Sequence, residues 1–98
     1  MTLKLELKVF YAGNFLGLSI DQVTANNTVP VTAYYLWPRT DAWEQLKLEL
    51  DSKKWITASE KIRILNSTVE IMNYWRKNRT DINIEELKTQ FSELKFIG

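Results

Sequence analysis

At the start of the chain apolar and charged residues alternate, with Leu3, Leu5, Leu7 and Val9 on one side and Lys4, Glu6 and Lys8 on the other. That two-residue period predicts a half-buried strand over about 2–10. Leu16, Leu18 and Ile20 resume it after Tyr11-Ala12-Gly13-Asn14, which predicts a second strand over about 15–23 and a hairpin turned by Gly-Asn at positive φ. A four-residue loop puts Val9 opposite Leu16, Leu7 opposite Leu18 and Leu5 opposite Ile20, so apolar residues meet on one face. Phe10 and Phe15 then pair on the other face, where the C-terminal segment is expected to cover them. A polar loop over 24–30, around Asn26-Asn27, leads to a third extended run over about 31–37.

Pro38 biases Trp37 away from the helical region, so the extended run ends there. Three helices are predicted beyond it, over about 41–53, 57–77 and 83–95. Each opens on a capping box: Asp41 with Glu44, Thr57 with Glu60, Asn83 with Glu86. The first helix buries Trp43, Leu46 and Leu50 and leaves Leu48 outside. The second carries one stripe of Ile62, Leu65, Val69 and Met72 and another of Ile64, Ile71 and Trp75, as expected of a helix packed between neighbours. In the third, Ile84, Leu87, Phe91 and Leu94 fall on one face. The fold class is α+β, a small three-stranded antiparallel sheet followed by three helices, in a single domain over 1–98.

Composition narrows the chemistry. A chain of 98 residues buries roughly 60–70% of its unfolded surface, enough for one core. Without cysteine or histidine it has no disulfides, no thiolate or imidazole metal ligands and no imidazole base. Asp41, Glu44, Glu60, Glu85 and Glu86 all fall in first helical turns, where capping and the macrodipole account for them. The three glycines are scattered, so there is no phosphate-cradling loop. We expect no enzyme, no cofactor, no metal and no small-molecule substrate. No apolar run approaches a membrane span, and the start resembles neither a signal nor a transit peptide, so no membrane partner is expected and the protein is expected to work where it is made, or after processing.

Thirteen cations against twelve acids give a net charge of +1, low for a protein held on nucleic acid chiefly through phosphates. Basic residues nevertheless cluster at Lys53-Lys54 and at Arg76-Lys77-Asn78-Arg79, where helices end. Offset of the helix dipole explains the first pair readily and three cations in four residues less well. Should both helices end on one side, Lys53, Lys54, Arg76, Lys77 and Arg79 form one patch suited to the phosphates of an RNA helix. Trp37 and Trp43 flank the strand-to-helix corner, as core anchors or, with Arg39 reaching outward, as a docking corner.

The run Leu36-Trp37-Pro38-Arg39-Thr40-Asp41-Ala42-Trp43-Glu44, with Asp21-Gln22-Val23, Lys54-Trp55-Ile56, Leu65-Asn66 and Glu70-Ile71-Met72-Asn73-Tyr74-Trp75, resembles the plastid-specific ribosomal protein three family. That family belongs to the small ribosomal subunit of chloroplasts and has close relatives in cyanobacteria. The resemblance runs from about Val9 to the C-terminus. It implies a structural protein of the small (30S) subunit, in the chloroplast stroma or the cyanobacterial cytoplasm, whose partners are ribosomal RNA and ribosomal proteins and which supports assembly or translation. The alternative is a non-catalytic adaptor docking a protein through the Trp37/Arg39/Trp43 corner.

Overall fold

In the computed structural model, which describes residues 4–78, 84–92 and 94–97, the hairpin is formed by β1 (Lys4–Tyr11) and β2 (Leu16–Val23). Its register differs by two residues from the expected one: Val9 faces Leu18, Leu7 faces Ile20, and Tyr11 with Leu16 is the last pair. The turn closes with the Ala12 N–H donating to the Phe15 carbonyl at 3.1 Å, and Asn14 does not take a positive φ. A two-residue slip keeps every side chain on its face, so the apolar pattern cannot distinguish the registers. Thr2 and Leu3, at the start of the expected strand, lie outside the described residues.

The third strand is two strands. β3 (Thr28–Pro30) and β4 (Tyr35–Trp37) both pair antiparallel with the edge of β2 that faces away from β1. Between them residues 31–34 oppose only residues 19–20, a bulge. Thr32 closes it. Its Oγ1 accepts the Ile20 N–H at 3.0 Å and donates to the Ala33 carbonyl at 2.9 Å, while Val31 and Thr32 N–H both donate to the Ile20 carbonyl. The polar loop narrows to 24–27, tied by Thr24 and Asn27.

α1 (Ala42–Asp51) and α2 (Ala58–Lys77) start where predicted, with Asp41 accepting from the Glu44 N–H and Thr57 from the Glu60 N–H. α3 (Ile84–Gln90) is shorter than the expected 83–95; Asn83, its expected cap, lies outside the described residues. Residues 95–97 form β5 (Lys95–Ile97), which pairs parallel with β1 and makes a five-stranded mixed sheet of the expected antiparallel three. The alternation that puts Phe96 inward and Lys95 and Ile97 outward fits a strand and contradicts a helical continuation.

The core lies between the inner sheet face (Leu5, Leu7, Val9, Leu16, Leu18, Ile20) and the helices (Leu46, Leu50, Ile64, Ile71, Trp75, Leu87). Trp43 is only half-buried, and Ala42 takes its place among the fully buried residues. The second stripe of α2 is buried as expected, but Ile62 and Val69 of the first are 59% and 41% exposed. Phe10 and Phe15 stack with centroids 5.7 Å apart on the outer sheet face, and Phe10 stays open beside Ile97 instead of being covered.

α2 also clasps β1 where β5 does not reach. The Leu5 N–H donates to Glu60 Oε2 at 3.1 Å, and its carbonyl accepts from Arg63 Nη2 at 2.6 Å. Glu60 and Arg63 pair with each other at 2.8 Å, so a helical ion pair satisfies backbone groups that a neighbouring strand would otherwise take.

Candidate nucleic-acid interface

Trp37 ends β4 at the core side of the sheet, and its ring meets that of Trp75 edge to face at 5.2 Å. Trp75, near the end of α2, is buried and donates its indole N–H to the Ala12 carbonyl at 2.6 Å. These contacts fix the β4–α1 corner against the C-terminal end of α2. Arg76, the next residue of α2, lays its guanidinium over the Trp37 ring at 5.3 Å from the centroid. A guanidinium so placed keeps its N–H fork available while the ring holds it in position. Arg39 is exposed two residues beyond Trp37, and Lys77 is exposed next to Arg76. The Trp37–Pro38 peptide between them is cis.

Ion pairing engages several of the cations outside this corner. Lys8, Lys47, Lys53, Lys61 and Arg63 each pair with a carboxylate within 3.6 Å. Among the described residues Arg39, Arg76 and Lys77 have no acidic partner. Positive charge left uncompensated beside an anchored aromatic ring attracts an anion.

The two basic clusters do not merge. Lys53 and Lys54 follow α1 and precede α2, and the Lys61–Asp51 pair holds the end of α1 against the first turn of α2. Arg76 and Lys77 close the other end of α2, a helix of 20 residues and about 30 Å, so the clusters stand at its opposite ends. Lys53 is engaged by Glu49 at 3.3 Å, whereas Lys54 is exposed. Arg79 lies outside the described residues.

Trp37 and Trp43 are both half-buried against the core, anchors with one open side. The Trp43 indole nitrogen is buried without a partner. The more exposed tryptophan is Trp55, in the α1–α2 connection, which periodicity had not marked as a surface residue. Missed as well was the contact of Arg76 with Trp37, which joins residues 39 apart. Among the described residues no group of three acidic side chains is placed to hold a metal, and no helix is long and apolar enough to cross a membrane.

Residues 31–78 match the family described as plastid and cyanobacterial ribosomal protein (PSRP-3 / Ycf65). The small ribosomal subunit protein cS23 of Gracilaria tenuistipitata var. liui is 42% identical over 97% of this chain and 96% of its own length. A probable small ribosomal subunit protein cS23 of Synechococcus sp. (strain JA-3-3Ab) is 44% identical over the same shares, and the cS23 of Cyanidium caldarium is 41% identical over 91% and 90%. None of these supports a free-standing adaptor. With identity at this level sustained from end to end, in relatives from both lineages, the chain belongs to the plastid and cyanobacterial ribosomal protein family.

Proposed function

We propose that the protein is a structural, non-catalytic component of the small ribosomal subunit of a plastid or cyanobacterium, seated on ribosomal RNA through the Trp37/Arg39/Arg76/Lys77 corner. The observation that carries the reading is the guanidinium of Arg76, stacked on Trp37 at 5.3 Å and free of any carboxylate among the described residues. Arg39 is exposed two residues beyond Trp37, Lys77 follows Arg76 in α2, and Arg79 is three residues beyond Arg76 in sequence. A small set of fixed cations can meet neighbouring phosphates of an RNA helix with no large net charge. Lys54, at the far end of α2, is a second, weaker contact with RNA or a neighbouring ribosomal protein. Lys53, already paired with Glu49, adds little to it.

The test is the triple variant Arg76→Gln/Lys77→Gln/Arg79→Gln. Three phosphate contacts fewer should lower the salt concentration at which the protein leaves the subunit and reduce the slope of log affinity against log salt by roughly two to three. Thermal stability should fall only modestly, by about 1 kcal/mol, since Arg76 gives up its contact with Trp37 and two cations leave the last turn of α2. An unaltered salt response would remove this corner from the RNA contact.

A further inference from the structure

Between α2 and α3, next to the basic corner, lies an open cleft of about 320 Å³. Its floor is Tyr74 and Phe91, in edge-to-face contact at 5.5 Å. Its walls carry Asn73, Gln90 and Glu70, and Lys77 stands at one end. Glu70 and Lys77 are seven residues apart on α2, so the two charges are separated by two helical turns, about 10 Å along the axis. Asn78, the remaining lining residue, is committed to capping α2 through its side-chain amide on the Tyr74 carbonyl at 3.0 Å. Among the described residues, the side chains of Glu70, Asn73, Lys77 and Gln90 have no hydrogen-bond or ion-pair partner.

We propose that this cleft receives one unpaired adenine or cytosine nucleotide of ribosomal RNA, with its phosphate on Lys77 and its base between Asn73 and Gln90, the exocyclic amine toward Glu70. The inference rests on the small-subunit reading given above. The volume is at the small end of ligand pockets, about 300 Å³ upward, which suits one nucleotide and excludes a duplex. A carboxamide offers a donor beside an acceptor, the complement of an amino group beside a ring nitrogen, as adenine and cytosine present. The carboxylate of Glu70 adds an acceptor for the same amine and repels phosphate, which sets the orientation. Aromatic rings below and carboxamides at the edge are how unstacked RNA bases are held. Lys77 lines the cleft and follows Arg76 directly in α2, so the corner and the cleft share the C-terminal end of that helix.

Dimethyl sulfate methylates N1 of adenine and N3 of cytosine where these are unpaired and open, and it can be applied to small subunits from cells carrying either wild-type protein or Asn73→Ala/Gln90→Ala. We expect at least one unpaired adenine or cytosine to be protected in wild-type subunits and reactive in variant subunits. Losing two carboxamide contacts should weaken occupancy roughly tenfold or more. Glu70→Gln, which preserves the shape of the cleft, should expose the same base in part. Identical reactivity in wild-type and both variant subunits, with all three proteins co-sedimenting, overturns the proposal while leaving the subunit reading intact. Loss of a cross-link to a neighbouring protein, with RNA reactivity unchanged, overturns it in favour of a protein occupant. Wild-type protein absent from the subunits overturns the underlying reading instead.

Discussion

Three aromatic residues show how differently one side-chain class is used. Trp75 is buried with its N–H donated to Ala12 at 2.6 Å, so Trp75→Phe should cost about 1–3 kcal/mol in chemical denaturation, from the lost bond and the unfilled space. Tyr11 is the opposite case, because its hydroxyl is buried with no partner. Burial, with Tyr74 nearby, pushes that hydroxyl up from 10.0 to about 12. The folded state therefore resists ionisation of Tyr11: the stability this group contributes is complete below the unfolded value and is lost as pH rises from there toward the folded one. Tyr11→Phe should match or exceed wild-type stability at neutral pH and should lose less stability between about pH 10 and 12, read from unfolding midpoints. Trp43 falls between the two. Half-buried, with an unpaired indole nitrogen, it should cost about 3 kcal/mol as alanine, the low end for an aromatic truncation.

At the scale of elements, the joint between α2 and β1 depends on Glu60 and Arg63. The Arg63 hydrogen bond, then the Leu5 amide, holds the Glu60 carboxyl below the usual carboxylate range. A carboxyl with a lowered folded value contributes stability above its unfolded value and loses it as pH falls through the folded one. Glu60→Gln should therefore be less stable than wild type at neutral pH, and the gap should close in acid, as thermal midpoints against pH would show. The sequence announced this helix through Thr57 and Glu60, yet Glu60 leaves the box to bind a strand 55 residues away, a use that no local pattern contains. Local signals were legible elsewhere too: alternation marked β1 and β2, and Asp41 and Thr57 marked the helix starts. What escaped was long-range or face-preserving. The hairpin slip keeps every residue on its side; the Thr32 bulge depends on Ile20 of another strand; β5 is a three-residue strand recognisable only once β1 offers it an edge. Of the candidate interface, the cations and tryptophans could be named from sequence, but the stacking of Arg76 on Trp37 and the distance between the basic clusters depend on how the helices turn back.

For the whole molecule, a net charge of +1 leaves no broad field to hold the protein on RNA. Among the described residues, Lys8, Lys47, Lys53, Lys61 and Arg63 are spent on ion pairs, and the other cations stand at the Trp37 corner, at Lys54 and at isolated surface positions. At that corner the sheet braces Trp37 from one side and α2 braces it from the other. The proposed attachment through a few fixed phosphate contacts predicts firm association at low salt and release over a moderate rise, a steeper response than that of a contact buried among apolar side chains. The measurement that tests this most directly is sedimentation of the tagged protein from native lysate through sucrose gradients at low and high salt. The account predicts co-migration with small subunits at low salt and loss from them as salt rises. Protein found only at the top of the gradient, even at low salt, would contradict it.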